Sequence, residues 1–248
     1  AQQGISVQAY VGQVGNITIS KPHTELDLSS VFSSDVRCPD LVAASLMTKA
    51  IELVRAEGDS LGGVVSCVIT GVPAGLGEPV FDKLHADLGK AMLSINAVKG
   101  FQFGSGFAAA SMRGSQHNDL YKAAPLSPGE GIPGLRAGVG VRSITNRSGG
   151  VQGGISNGEA IVFDVAFKPP STIMRDQPSI DRSGNAVILE GKGRHDPCVV
   201  PRAVPVVEAM ACLTIADHFL RSRTARARDL APDETTATTN GDPGLRRG

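Results

Sequence analysis

The run Gly193-Arg-His-Asp-Pro-Cys198, continued by Val199-Val-Pro-Arg-Ala-Val-Pro-Val-Val-Glu-Ala-Met210, places three ionisable side chains directly ahead of an apolar helix. Arg194, His195 and Asp196 stand side by side, and Pro197 keeps a helix from forming across them. Proline is tolerated only in a first turn, so the helix is expected to begin between Pro201 and Pro205. Its expected buried face is Val204, Val207, Ala211, Ile215 and Phe219. Arg221, Arg223, Arg226 and Arg228 gather at its C-terminal end, where positive charge suits the helix dipole. Charged groups crowded against a core element suggest an anion or a polar cofactor to be held, in surroundings where pKa values shift.

Working outward, Ile5, Val7, Ala9 and Val11 alternate with the period of a half-buried strand. Residues 20–39 are polar and turn-rich and read as a loop. From Asp40 to Glu57 the apolar spacing is helical and ends at Gly58. Gly62–Gly71 encloses Val64-Val-Ser-Cys-Val-Ile-Thr70, a strand buried on both faces. After a loop over Gly71–Pro79, the residues Phe81, Leu84, Leu88, Ala91 and Ile95 recur at helical spacing, with Asp82 placed to suit the dipole. Val98–Phe103, Ile161–Phe167 and Asn185–Leu189 read as strands. The intervening stretch Gly104–Gly158 reads as glycine-rich and irregular, and so long a loop in a compact domain is usually functional or disordered. From Ala231 the chain has almost nothing to bury and reads as disordered. This order of elements implies an α/β or α+β sandwich.

The chain has 248 residues, of which 41% are hydrophobic, enough for a sizeable core. Lys plus Arg and Asp plus Glu are both 24, so a nucleic-acid binder with a basic excess is not indicated. An anionic ligand must then be held by local clusters rather than by the overall field. Tryptophan is absent and tyrosine occurs twice, so aromatic stacking platforms are scarce. The cysteines at 38, 67, 198 and 212 form no C-x-x-C pair and no disulfide framework, which fits a reducing compartment. No apolar run is read as membrane-spanning and no signal peptide is read. The start, Ala1-Gln-Gln-Gly4, enters a strand pattern at once and reads as a cut through a domain.

Four segments could carry chemistry. Gly149-Gly150 and Gly153-Gly154 flank a short polar loop through which a backbone could approach a ligand closely. They lack the spacing of a dinucleotide fingerprint, and plain turns are the favoured reading. Lys168-Pro-Pro-Ser-Thr172 offers an ammonium, two hydroxyls and a stiffened backbone to a phosphate group. A solvated lysine beside a proline turn explains the composition equally well. Arg194, His195 and Asp196 could be an anion clamp, a general acid/base and a carboxylate acceptor, against the plainer reading of a salt bridge and a cap. Ser115-Gln-His-Asn-Asp119 reads as a solvated turn or a substrate contact. Cys198 is a weak nucleophile candidate ahead of an apolar helix, and no metal-ligand spacing accompanies it. His23, His85 and His218 stand alone, the last two as surface or core-edge residues of helices.

Together these segments resemble the chorismate synthase family, in order from about Val36 to His218. The matching runs are Val36–Pro39, Gly58–Val65, Gly71–Leu84, Ser94–Gly100, Gly104–Phe107, Thr145–Gly158, Lys168–Ile173 and Gly193–Met210. The resemblance implies an α+β fold, a β-α-β sandwich incomplete at its N-terminus, with the domain over residues 1–222 and a disordered polar tail over 223–248. It implies a homotetramer, a lyase of aromatic amino acid biosynthesis, and a 1,4-anti elimination of phosphate from 5-enolpyruvylshikimate 3-phosphate to give chorismate. Reduced FMN is the implied cofactor, with NADPH as one source of reductant, and the implied compartment is the cytoplasm or a plastid. FMN contacts are implied at Asn96, Ala97, Gly153, Lys168, Pro169, Pro170, Ser171, Thr172 and Arg194, and a catalytic role at Asp196 beside the flavin ring. No metal, nucleic acid or membrane partner is implied. The family's N-terminal histidine and arginine motifs are not found in this chain, so His195 and His117 are not assigned their roles, and the isolated chain is expected to be inactive. Asp164 puts a carboxylate where the family pattern leads one to expect arginine or a neutral residue. The competing readings are a non-catalytic flavin- or phosphate-binding module and a purely structural fragment.

Overall fold

The computed structural model describes residues 4–125, 139–193 and 195–225. In chain order its elements are β1 (Ser6–Val14), β2 (Ile17–Thr18), α1 (Leu41–Ala56), β3 (Gly63–Thr70), α2 (Leu84–Leu93), β4 (Val98–Phe103), α3 (Gly114–His117), β5 (Tyr121–Pro125), β6 (Val139–Ser143), β7 (Val151–Gln152), β8 (Ile155–Ser156), β9 (Ile161–Phe167), β10 (Gln177–Ile180), β11 (Ala186–Leu189) and α4 (Val200–Ala225). The α+β class follows from the arrangement: five antiparallel strands in the order β2-β1-β3-β9-β4 carry α2 and α4 on one face.

Alternation along β9 shows why. Ile161, Phe163, Val165 and Phe167 are all buried, whereas the residues between them are half-buried, so one face of the strand takes the helices. Val65, Cys67 and Ile69 of β3 join that face, and Leu84, Leu88 and Met92 of α2 with Val204, Val207, Ala211 and Ile215 of α4 complete one apolar core. Beyond the short β2, the β1 edge is closed by other means: Ala9 N–H donates to Glu208 Oε1 of α4 (2.8 Å) and Val11 N–H to the Arg37 carbonyl (2.9 Å).

On the opposite face Tyr10, Ser66, Asp164 and Gln102 lie in register across four strands. Ser66 Oγ donates to Asp164 Oδ1 (2.6 Å) and Gln102 Nε2 to Asp164 Oδ2 (2.8 Å), so the unexpected carboxylate is satisfied in mid-sheet. Burial pushes the Tyr10 phenol up to about 12, opposed by its contact with the Ser66 hydroxyl and reinforced by the Asp164 charge.

Several expectations need correction. The second helix begins at Leu84, not Phe81, because Glu78 and Asp82 close a turn through reciprocal backbone hydrogen bonds (2.8 and 3.0 Å) that leaves Phe81 exposed. Asp82 faces Arg221 of α4 instead of a helix dipole. The last helix begins at Val200 and takes Pro205 inside it, since burial of Val200, Ala203 and Val204 outweighs the hydrogen bond that the proline removes. It runs on to Ala225, and residues 226–248 of the expected tail lie outside the described residues. The stretch 104–158 is not irregular throughout: β5 pairs with β6 and β7 with β8. An unforeseen hairpin joins β10 and β11. Over Val200–Thr224, α4 is also long and apolar enough to cross a membrane, by length and composition. Its second apolar stripe, Val206, Leu213 and Leu220, causes this; that stripe is exposed while the first packs on the sheet.

Candidate functional site

Three strand ends meet where β3 starts, β4 starts and β9 finishes, since Gly63 and Val98 both pair with Phe167. The segments that continue from these ends form the site. Lys168 N–H donates to the Ala97 carbonyl (2.9 Å), which ties the Lys168–Thr172 loop to the Asn96-Ala97 turn after α2. Ala97 is held at φ 70°, an uncommon conformation for a residue with a Cβ, and such strain clusters at ligand sites. Ser60 Oγ donates to the Pro170 carbonyl (2.6 Å), and Met174 N–H to the Gly58 carbonyl (2.8 Å). Gly62 is required by this close approach: a Cβ there would sit 2.4 Å from the Phe167 carbonyl oxygen and 2.9 Å from Pro169 N.

The Asp196 loop reaches the same end. Leu61 N–H donates to the Pro197 carbonyl (2.7 Å), and Leu61 forms a parallel bridge with Cys198. Asp196 and His195 then line a cleft of about 210 Å³ with Thr172, Met174, Arg55 and Asp59. Arg175 clamps the cleft wall by bonding Asp59 (2.9 Å) and Glu57 (3.3 Å). His195 donates from Nε2 to the Lys192 carbonyl (3.0 Å), which commits that nitrogen. Asp196 Oδ2 is paired with the Arg202 guanidinium. Burial pushes the Cys198 thiol up, against a hydrogen bond from Val200 N–H, so it is a protonated packing residue rather than a nucleophile.

A phosphate-bearing group suits the side chains present. Those of Asn96, Lys168, Ser171 and Thr172 make no hydrogen bond or ion pair among the described residues, so their donors are open to a ligand. The cleft, which Thr172 lines, is smaller than the roughly 300–1,000 Å³ of an ordinary small-molecule site. Pro169 and Pro170 stiffen the loop between Lys168 and Ser171, and Arg194 lies outside the described residues.

Gly153 is not brought into this group. It turns β7 into β8, and Leu84 N–H at the start of α2 donates to the Gly154 carbonyl (2.9 Å). Asn96 follows the other end of α2, ten residues along, which is about 15 Å of helix. The seven-residue β9 gives a similar figure, about 20 Å between its ends. Around Gly153 stands a second cleft of about 410 Å³, lined by Ser105, His117, Asp119, Arg147 and Gln152. There Ser105 Oγ and His117 Nε2 share a hydrogen bond (2.9 Å). Asp119 accepts from Thr145 Oγ1 (2.6 Å) and from the N–H groups of Arg147 and Ser148 (2.8 Å each). Burial alone would raise Asp119, but these hydrogen bonds outweigh it and hold the carboxyl below its usual range. The Ser115–Asp119 segment is thus a brace for the glycine loop. His218 is likewise not at the surface: it is buried and bonds Asp87 of α2 (2.8 Å).

Residues 1–220 match the family model for chorismate synthase. The chain belongs to the chorismate synthase family. It is 54% identical over 226 residues to the chorismate synthase of Cytophaga hutchinsonii, covering 91% of this chain and 59% of that one. The chorismate synthase of Trichodesmium erythraeum is 49% identical over 218 residues, covering 88% and 56%. A crystal structure of chorismate synthase superimposes with a TM-score of 0.69 at 27% identity, over 89% of this chain and 58% of that chain. The chain therefore spans somewhat under two thirds of the length of the chorismate synthases it matches.

Sequence reasoning passed over Ser60 and Arg202. Arg202 carried a signal, since a basic residue in a first helical turn opposes the dipole. Ser60 carried none, because its partner is a main-chain carbonyl 110 residues away.

Proposed function

We propose that this chain supplies the flavin-phosphate loop and the proton-handling carboxylate of a chorismate synthase. The observation that carries the reading is the meeting of Asn96-Ala97, Lys168–Thr172 and Asp196 at one end of the sheet, with open donors on the first two segments. Lys168, Ser171 and Thr172 would hold the phosphate of reduced FMN, and Ala97 would present its backbone to it. The flavin, when bound, supplies electron density as phosphate leaves 5-enolpyruvylshikimate 3-phosphate in the 1,4-anti elimination to chorismate. The work of this chain is to hold the anion and to move a proton: Asp196 Oδ1, which has no partner among the described residues, is the atom placed to pass on the proton that the substrate loses. Gly153, at the far end of α2, stands outside this constellation. Relatives of about half identity that are chorismate synthases support the enzyme over a non-catalytic binding module. The same reading carries a homotetramer, a cytoplasmic setting and NADPH as one source of reductant.

The test is a pair of variants in the full-length protein. Lys168→Ala is expected to weaken FMN binding by about tenfold, the scale of one charge-assisted contact. Asp196→Ala is expected to cut turnover at least a hundredfold and to change FMN affinity by less than threefold, as general acid–base roles do. Equal loss of both properties in Asp196→Ala would assign it a structural role and overturn the reading.

A further inference from the structure

Asp196 is held by an unusual partner. Arg202 is the third residue of α4, where a cation works against the helix dipole. The Asp196–Arg202 pair is also open to solvent, at 34% and 71% side-chain exposure, and a surface pair of this kind adds little to stability. Neither the helix nor the core needs an arginine there. Local rules broken without a stability gain are expected at functional positions.

The backbone that follows Asp196 is fixed. Leu61 pins the Pro197 carbonyl and bridges Cys198, and prolines at 197 and 201 stiffen the link into α4. That sets the Cα of Asp196 and leaves the side chain free to rotate. Arg202 removes this freedom by taking Oδ2, so that among the described residues Oδ1 is left without a partner. Among the described residues, no other charged or titratable group around Asp196 is bonded to its carboxylate. Asp59 belongs to Arg175, His195 Nε2 donates to a carbonyl, Cys198 is buried, and Arg55 lines the cleft wall.

We propose that Arg202 is the positioning residue for Asp196: it fixes the carboxylate through Oδ2 and presents Oδ1 to the reacting proton. The proton passes from the substrate carbon to Oδ1 while the C–H electron pair moves into the new double bond as phosphate leaves; the acid so formed keeps its Oδ2 contact with the guanidinium, and the proton then leaves Oδ1 for water, which restores the carboxylate. This inference rests on the proposed role of Asp196.

The full-length protein with Arg202→Gln, Arg202→Lys and Arg202→Ala tests it. For Arg202→Gln, turnover is expected to fall about tenfold to a hundredfold, as for a misplaced catalytic group, with KM and FMN affinity within threefold. Arg202→Lys keeps the charge but not the planar fork and should recover part of the loss. Added guanidinium ion should raise the turnover of Arg202→Ala and leave the unaltered protein unchanged. A readout without flavin is the Asp196 side-chain coupling constants by NMR, which should report one rotamer in the unaltered protein and averaging in Arg202→Gln. In a double-mutant cycle, Asp196→Asn with Arg202→Gln should cost no more than Asp196→Asn alone. Unchanged turnover in Arg202→Gln overturns the inference if Asp196→Ala is inactive; an active Asp196→Ala overturns the underlying reading instead. Parallel loss of turnover, FMN affinity and melting temperature in Arg202→Gln would mark the arginine as structural and overturn the inference as well.

Discussion

Gly62→Ala is the sharpest structural test of the flavin-loop assignment. The added Cβ would meet the Phe167 carbonyl oxygen at 2.4 Å and Pro169 N at 2.9 Å, both main-chain atoms that no rotamer change can move. The end of β9 or the start of β3 must shift, and the Lys168–Thr172 loop moves with it. Two hydrogen bonds are at stake, Lys168 N–H to the Ala97 carbonyl (2.9 Å) and Ser60 Oγ to the Pro170 carbonyl (2.6 Å). Overpacking costs about 1–3 kcal/mol and each of the two hydrogen bonds about 1 kcal/mol, so a loss of roughly 3–5 kcal/mol is expected. For a domain of this size that lowers the melting temperature by about 6–20 °C. Displaced donors should also weaken FMN binding at least about tenfold, the equivalent of 1.4 kcal/mol. Gly153→Ala is the matched control. It has φ +61° but no atom within 4 Å of the added Cβ, so it should cost about 1 kcal/mol of backbone strain. Calorimetry and FMN titration on the two variants read both quantities. A Gly62→Ala protein that binds FMN within twofold of the unaltered one would refute the placement of the flavin phosphate at Lys168–Thr172.

Two stability predictions follow from groups outside the cleft. Tyr10 has its phenol raised to about 12 in the folded state, chiefly by burial, against about 10 when unfolded. The associated stability, about 2–3 kcal/mol, is therefore full below pH 10 and lost as pH rises from 10 to 12; denaturant melts should show this alkaline loss, and Tyr10→Phe should remove it. Asp87→Ala would leave the imidazole of His218, which is 2% exposed, without its acceptor across the α2–α4 contact, and should cost about 1–3 kcal/mol in a urea melt; a change under about 0.3 kcal/mol would show that the pair does not hold the helices together.

Much of this was legible in the sequence, for reasons that differ by segment. The alternation of Ile161, Phe163, Val165 and Phe167 and the helical spacing of Val204, Val207, Ala211 and Ile215 announce faces that the core then fills. β10 was missed because Gln177-Pro-Ser-Ile180 has no apolar alternation and exists by pairing with β11. Lys168-Pro-Pro-Ser-Thr172 shows its ammonium and two hydroxyls in the sequence, but composition alone left a phosphate loop and a solvated proline turn level. The left-handed backbone of Ala97 was not legible, because alanine has no preference for it and the conformation is imposed by the Lys168 bond. Gly153 was grouped with that loop in sequence terms, yet the length of α2 and of β9 separates the two. A motif list carries no ruler, whereas a helix and a strand of known length do.

On the proposed reading, the same geometry accounts for how a chain with equal numbers of acidic and basic residues would hold an anion. Among the described residues, the cationic side chains Arg55, Lys168, Arg175 and Arg202 and the carboxylates Glu57, Asp59 and Asp196 stand around the cleft and its loop. Arg175 bonds both Glu57 and Asp59, and Arg202 bonds Asp196, so every one of these carboxylates already has a partner. Arg55 and Lys168 have none among the described residues, which leaves the positive charge of this end of the sheet on the two side chains that border the loop and the cleft. Pairing therefore does locally what net charge does not. It quenches the carboxylates that would repel a phosphate, and for the proposed role of Asp196 it leaves one oxygen, unpartnered among the described residues, that would take the proton.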